Sequence, residues 1–180
     1  MMKNEKQIEI HGEADWIYFN EPDNKYEDPG QYKVTLKVSR AKSGELIRDI
    51  NEVICGELKA QNHDIDASAD RKKFYRDKAK KPYAVKGDVV EFKLHSKFKP
   101  ILWDKNRNKL DEKINVWKGS TMWANCKVSG YTKSIGTGAT LYLGSAQIDK
   151  LVEGAPQNGE CPYPKREGSA LPHLSEKVPY

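Results

Sequence analysis

Aromatic and basic side chains alternate with small apolar ones in the segment 121–133. One face of a strand here would carry Met122, Ala124, Cys126 and Val128. The opposite face would carry Trp123, Asn125, Lys127, Ser129, Tyr131 and Lys133. Such a face suits single-stranded nucleic acid, because bases stack on the rings while ammonium groups neutralise phosphates. The alternative left open is that another layer of the protein packs on Trp123 and Tyr131.

Two further segments place lysines on the polar face of a strand. In 31–39, Lys33, Thr35 and Lys37 lie opposite Tyr32, Val34, Leu36 and Val38. In 88–98, Glu91, Lys93, His95 and Lys97 lie opposite Val90, Phe92, Leu94 and Phe98. Both segments alternate with a period of two, which predicts half-buried strands. If these strands are neighbours, the four lysines join Trp123 and Tyr131 in one basic, aromatic surface.

Two other segments contribute aromatic rings. Segment 7–19 predicts a strand with a kink or bulge at Gly12. Alternation cannot bury all of Trp16, Tyr18 and Phe19 on one face, so at least one of them points outward. Residues 101–117 predict a hairpin whose tip, 104–109, contains Arg107. We expect Trp103 and Arg107 to contact nucleic acid, and Trp117 could add stacking. The alternative is that Trp103 and Trp117 pack at the base of the hairpin.

The charge is unevenly distributed along the chain. The 180 residues include 31 Lys and Arg and 26 Asp and Glu, a formal charge of +5. Residues 71–109 contain 14 basic and four acidic side chains, whereas residues 1–70 contain nine basic and 15 acidic. A concentrated positive source attracts polyanions. The alternative is a solvated basic face.

The remaining pattern indicates a mainly β fold. Apolar residues at spacings of three and four predict one amphipathic helix over 44–61, with Ser43 as its N-cap. Residues 62–87 show no sustained apolar pattern; 68–79 could form a short basic helix, but the density of Lys and Arg favours a mobile arm. With the last strand at 139–152, five or six strands and one inserted helix favour an OB-type barrel with long loops. Residues 1–153 would form this domain, and the Pro/Gly-rich residues 154–180 a tail or wrapping extension.

Few residues suggest catalysis or bound cofactors. The four histidines lack metal-ligand spacing, and Cys55, Cys126 and Cys161 form no paired motif. Asp64 and Asp66 could hold a metal with Glu13, Asp15 or Asp23, so a metal-dependent nuclease remains an alternative, as does a protein-interaction module. We otherwise expect no enzyme activity, cofactor or metal. No long apolar run or secretory signal is present, so we expect no membrane contact and a cytoplasmic location.

The order of several short motifs adds a family resemblance. The stretches concerned are 12–18 followed by Pro22-Asp23, 30–36, 90–94, 127–131, 138–143, Gln147-Ile148 and Leu151-Val152. In this order they resemble the OB-fold single-stranded DNA-binding proteins of short-tailed phages, over most of residues 12–154.

The resemblance implies a protein that coats single-stranded DNA in phage replication and recombination. It implies a DNA contact at Tyr131 and, less closely matched, at Lys33 and Lys93. It also implies replication proteins, or further copies of the chain, as partners in the infected cell. Family members usually end in a strongly acidic tail with a terminal aromatic residue. Here Tyr180 supplies the aromatic ring, but 154–180 is not acidic. Its charges cancel, because Glu160, Glu167 and Glu176 are balanced by Lys165, Arg166 and Lys177.

Overall fold

A computed structural model describes residues 4–26, 29–61, 78–134 and 136–153 of the chain. The elements in these ranges are β1 Glu5–Asp23, β2 Gln31–Ser39, α1 Gly44–Ala60, β3 Tyr83–Lys86, β4 Val89–Ser96, β5 Ile101–Trp103, β6 Thr121–Lys133 and β7 Gly136–Lys150. The strands predicted over 31–39, 88–98, 121–133 and 139–152 and the helix predicted over 44–61 are all present.

Five of the strands close into a barrel. Antiparallel pairs join β2 to β1, β1 to β6 and β6 to β7, and β2 also pairs antiparallel with β4. The ring is completed by a short parallel pairing of β4 with β7, at Leu94–Leu141 and His95–Tyr142. Strands β3 and β5 extend the sheet beyond the barrel. The predicted mainly β, OB-type barrel with one inserted helix is therefore confirmed.

The barrel interior is filled by the apolar faces of alternating strands. Its fully buried side chains include Leu36, Phe92, Leu94, Met122 and Leu141. Alternation sends every second side chain outward, so the lysines of β2 and β4 are on the solvent side. The strand pattern therefore decides which residues are available to a ligand.

Helix α1 packs its apolar stripe against β1, β6 and β7. Its buried residues, Ile50, Val53, Ile54 and Leu58, follow the spacing of three and four that predicted the helix. Ser43 occupies the N-cap position, but its hydroxyl donates to the Arg40 carbonyl at 2.9 Å instead of capping the helix. Packing of the apolar face, rather than a side-chain cap, thus accounts for the helix.

The irregularity in β1 lies after Gly12, not at it. The register with β2 shifts between Ala14 and Ile17, so the predicted bulge position was wrong. Gly12 is regularly paired, and a Cβ there would lie 2.8 Å from the Lys37 carbonyl oxygen. Because the shift reverses the alternation, Phe19 is buried while Trp16 points to solvent.

Of two predictions for the middle of the chain, one was wrong and one holds only in part. Phe98 does not share the buried face of β4: the strand ends at Ser96, which is buried, and Phe98 is 81% exposed. Lys97 therefore lies just beyond the strand. The hairpin predicted over 101–117 is present only around its tip: the Asp104 N–H donates to the Asn108 carbonyl, and an antiparallel bridge joins Trp103 to Lys109. Beyond it, β5 pairs in parallel with β7.

Some predictions concern segments that the structure describes only in part. Strand β3 falls within 62–87, where no strand was predicted; it pairs with β4 at Tyr83–Phe92. Most of the suggested helix 68–79 and the whole extension 154–180 lie outside the described residues, as does Cys161. No helix in the described part of the chain is long and apolar enough to cross a membrane.

Candidate nucleic-acid interface

A groove runs over the outer surface where the end of β1 meets β2 and β4. Its volume is about 470 Å³, and we call it the main groove. It is lined by Trp16, Tyr18, Asp23, Lys25, Tyr26, Lys33, Val34, Thr35, Lys93, Leu94 and His95. The cross-strand pair of Tyr18 with Lys33 places a ring beside a cation, and Lys93 lies opposite Thr35 on the next strand. The groove therefore combines two contacts that a single strand of nucleic acid requires.

Three aromatic rings of the main groove are uncovered. Trp16 is 67% exposed, Tyr18 is 39% exposed and Tyr26 is 83% exposed. Lys25 Nζ lies 5.1 Å from the centroid of the Tyr26 ring, a cation–π distance. Large rings clustered in solvent offer flat surfaces on which bases can stack.

The two predicted lysines of the groove differ in their surroundings. Lys33 Nζ lies 3.0 Å from the Asp23 carboxylate, and this contact, followed by the backbone N–H of Lys25, lowers the pKa of Asp23. Lys93 is exposed and has no ion pair within the described residues. Lys93 can thus bind a phosphate directly, whereas Lys33 must first break its ion pair with Asp23.

Lys37 lies on the same strand but is engaged with a carboxylate. Its Nζ is 3.0 Å from Asp15, which also contacts Lys118. The hydrogen bonds from Lys118 and then Lys37 lower the pKa of Asp15, and the bond to Asp15 raises the pKa of Lys37. Across the sheet Lys37 faces Glu91. Lys37 therefore differs from Lys93, because its positive charge is already paired with a carboxylate.

The outer face continues from β4 onto β7 and β6. The His95 and Tyr142 rings meet edge-on with centroids 5.2 Å apart, and Tyr142 faces Lys127 across the β6–β7 pair. Lys127 Nζ lies 3.3 Å from the Glu5 carboxylate. Exposed Tyr142 therefore connects the main groove to strand β6.

Tyr131 lies further along β6, close to the turn into β7. It is half-buried, which raises the pKa of its phenol, and Lys133 Nζ lies 5.6 Å from its ring centroid. The backbone of Lys80 bonds to Thr137 and Ala139 beside it. Tyr131 and Lys133 thus form a smaller aromatic and basic pair at the end of the β6–β7 hairpin.

Trp123 and Trp103 belong to a different face of the molecule. His11, Trp123, Gln147 and Trp103 are successive cross-strand partners on β1, β6, β7 and β5, and we call them the tryptophan row. Trp123 is 42% exposed and stacks on His11, with ring centroids 4.2 Å apart. Trp103 is half-buried, and Gln147 Nε2 donates to the Asp104 carbonyl at 2.9 Å.

Arg107 is at the exposed tip of the loop beside this row, with a left-handed φ of 65°. The tryptophan row shares no residue with the lining of the main groove. The expectation of one surface uniting Trp123, Tyr131 and four lysines is therefore not met. Of the lysines predicted for this surface, Lys33 and Lys93 line the main groove with its exposed rings, and Lys97 lies past the end of β4.

Sequence reasoning did not select Trp16, Tyr18, Tyr26 or Tyr142 as site residues. For the first two a signal existed, since the aromatic run 16–19 could not be buried on one face. Tyr26 lies in an acidic loop, and Tyr142 becomes significant only through the β4–β7 pairing. Cys126 behaves as expected of a core residue: burial raises the pKa of its thiol to about 12.

Acidic residues near the groove do not assemble a metal site. The part of the chain that the structure describes contains no group of three or more side chains placed to bind a metal ion. Asp15 and Asp23 are each bonded to lysines instead. Asp64 and Asp66 lie outside the described residues.

Comparison with solved structures places this architecture among phage proteins. The single-stranded DNA-binding protein gp2.5 of bacteriophage T7 superposes with a TM-score of 0.61 at 18% identity, covering 86% of this chain and 91% of that one. The single-stranded DNA-binding protein of bacteriophage Enc34 gives 0.58 at 14% identity, covering 86% and 87%. Its structure in complex with single-stranded DNA gives 0.59 at 16% identity, covering 82% and 88%.

The chain has the fold of these phage proteins. The resemblance found in the sequence is thereby confirmed at the level of the fold. No protein-family model and no curated protein sequence matches the chain.

Proposed function

We propose that the protein binds single-stranded DNA independently of sequence. The observation that carries this proposal is the main groove, where the exposed rings of Trp16, Tyr18 and Tyr26 lie beside Lys93, which has no ion pair with any residue that the structure describes. Bases stack on such rings whatever their identity, because every base has a π face. Lysines add phosphate contacts that are equally indifferent to sequence.

The position of the groove in the barrel supports the proposal. OB folds bind oligonucleotides on the face of their second and third barrel strands, together with the adjoining loops. In this barrel those strands are β2 and β4, and the loop after β1 contributes Tyr26. The structural neighbours named above are themselves described as single-stranded DNA-binding proteins.

We assign the predicted residues to this surface in two groups. Lys33 and Lys93 act in the main groove, and Lys127, Tyr131 and Lys133 extend the path along β6, with Lys37 and Lys97 at its margins. Trp123, Trp103 and Arg107 form an outlying face that contributes less. We propose that residues 1–153 carry this binding activity, with 154–180 as a tail or wrapping extension.

The role that follows is coating, not chemistry. The protein would cover single strands during phage DNA replication and recombination in the cytoplasm of an infected cell, with replication proteins and further copies of itself as partners. Catalysis is not part of this role: Asp23, which lines the main groove, and Asp15 on the same strand are both paired with lysines.

Titration of tryptophan fluorescence tests the proposal directly. Oligothymidine should quench the emission, duplex DNA should do so much less, and RNA should report the sugar preference. Repeating the titration at two salt concentrations should give a steep log–log dependence of affinity, with a slope of about −0.7 per neutralised phosphate.

Three results would contradict the proposal. An affinity that does not change with salt concentration would show that the protein makes no phosphate contacts. Unchanged emission with every oligonucleotide would favour a protein-interaction module. Magnesium-dependent cutting of a labelled oligonucleotide that is lost in Asp23→Ala would favour a nuclease.

A further inference from the structure

A second groove lies on the opposite side of β1 from the main groove. Its volume is about 310 Å³, and we call it the side groove. Its lining is Asp15, Trp16, Ile17, Tyr18, Trp117 and Lys118. Trp16 and Tyr18 line both grooves and so form a ridge between them. A strand bound on one side of the ridge therefore has a continuous aromatic path to the other side.

The side groove exists because β1 continues beyond its last pair with β6. The last pair between these strands is Glu13 with Thr121, and the Ala14 backbone then exchanges hydrogen bonds with Gly119 and Ser120. Beyond that point the edge of β1 faces residues 115–118 without a ladder. The resulting space is open to solvent and lies beside the exposed ring of Trp16.

Trp117 forms the far wall of this space. Its side chain is 47% exposed, although its backbone is held on both sides. The Trp117 N–H donates to the Val152 carbonyl at 3.1 Å, and its carbonyl accepts from the Ser120 N–H at 3.1 Å. A ring left uncovered on a fixed backbone is ready to stack without further ordering of the chain.

The charges favour an anion at one end of the side groove. Asp15 contacts two lysines, Lys37 and Lys118, so this trio carries a net positive charge. The side chain of Lys118 remains 68% exposed. Further along β1, the adjoining hollow has Glu21 as its one charged lining residue, which would repel phosphate. The path across the ridge therefore leads towards Trp117 and Lys118.

We propose that a single strand in the main groove crosses the Trp16–Tyr18 ridge, stacks a further base on Trp117 and contacts Lys118 through a phosphate. This inference rests on the proposed function and deepens it. If so, only longer strands reach Trp117 and Lys118, because a short strand is held entirely within the main groove.

The test compares Trp117→Ala with the parent on two oligothymidines, of about 4 and about 16 nucleotides, the range of single OB-fold sites. Affinity for the long strand should fall about five- to 150-fold, the equivalent of one lost stacked base. Affinity for the short strand should not change. Phe98→Ala is the control: it removes an exposed ring that lines neither groove, and it should leave both affinities unchanged.

Two further variants keep the test decisive if Trp117→Ala fails to fold, as judged by thermal unfolding. Trp117→Phe keeps a ring and should retain most of the affinity for the long strand. Lys118→Ala should lower the magnitude of the salt slope by up to about 0.7 for the long strand alone, the upper figure applying if Lys118 exchanges Asp15 for a phosphate.

Equal effects on both lengths, or none on either, would overturn the proposal and leave Trp117 to packing or to a protein contact. An unchanged slope in Lys118→Ala would likewise overturn the phosphate contact. A parent that binds neither oligonucleotide would instead refute the proposed function itself.

Discussion

The main groove and the tryptophan row both display aromatic rings on the outside of one barrel, yet their surroundings differ. In the main groove, Trp16 and Tyr26 are widely exposed and Lys93 has no acidic partner among the described residues. In the tryptophan row, Trp123 stacks on His11, and beside the row Lys105 is paired with Asp149 at 3.2 Å. This face thus satisfies its rings and charges internally, while the main groove leaves three rings and the Lys93 ammonium for a ligand.

The exposed fraction of a ring does not by itself indicate whether the ring can bind DNA. Trp123 is 42% exposed and Tyr18 is 39% exposed, so accessible area does not separate the two faces. What separates them is the neighbour of each ring. A base stacking on Trp123 gains only the side that His11 leaves free, whereas the rings of the main groove sit beside lysines that can hold the adjoining phosphates.

Removing two rings from the main groove should have the largest effect. We expect Trp16→Ala with Tyr18→Ala to weaken oligothymidine binding by at least about 2 kcal/mol, or about thirtyfold, because each stacked base contributes about 1–3 kcal/mol. The two sites are neighbours, so their effects need not add. Fluorescence anisotropy of a labelled oligonucleotide measures the loss.

Phe98→Ala is the matched control, since it removes an exposed ring outside the groove and should leave the affinity intact. Thermal unfolding checks that the double variant is folded. A folded double variant that binds like the parent would show that the groove is not the binding surface.

The regular elements were predictable because their periods are uninterrupted. Strand β2 runs from 31 to 39 as its alternation predicts, and α1 follows its apolar spacing. The groove was not predictable, because the shift between Ala14 and Ile17 reverses which side of β1 faces outward. Nor does alternation show that Asp15 contacts Lys37, a contact between residues on different strands.

The same reasoning explains the error at the end of β4. Phe98 continues the apolar alternation of Val90, Phe92 and Leu94, but the strand ends at Ser96. The Ser96 hydroxyl accepts a hydrogen bond from the Phe98 N–H at 3.1 Å, which turns the backbone out of the strand. A side chain–backbone bond of this kind ends a pattern that composition alone would extend.

The lysines of the groove should separate according to their partners. We expect Lys93→Ala to lower the magnitude of the salt slope for oligothymidine by about 0.7, the contribution of one phosphate contact. Lys37→Ala should change the slope less, because Lys37 is already bonded to Asp15. Titrations over a series of salt concentrations compare the two, and equal slopes would remove the distinction between free and paired lysines.

Releasing a paired lysine should have a smaller effect of the opposite sign. Asp23→Asn frees Lys33, so we expect tighter binding and a salt slope steeper by up to about 0.7. Asp149→Asn frees Lys105 beside the tryptophan row and is the matched control, for which we expect no change. Tighter binding in Asp149→Asn alone would reverse the assignment of the two faces.

Acid unfolding checks the same ion pair without DNA. The pKa of Asp23 is lowered from its ordinary value of 3.8, so the pair stabilises the fold at neutral pH and loses its effect as the pH falls through the folded-state pKa, below 3.8. Asp23→Asn lacks this contribution and should lose less stability between about pH 6 and about pH 3. Melting temperatures across that range provide the measurement; an equal loss in parent and variant would show that the pair does not stabilise the fold.

The smallest effect is expected at the tryptophan row itself. Trp123→Ala removes a ring that already stacks on His11, so we expect a loss of binding well below that of Trp16→Ala, under about 1 kcal/mol, the lower limit for a stacked base. His11→Ala sharpens the comparison, because it bares the second face of the indole and should not weaken binding. If Trp123→Ala instead weakens binding as much as Trp16→Ala, internal stacking does not withhold a ring from DNA, and the bound strand must extend over both faces of the barrel.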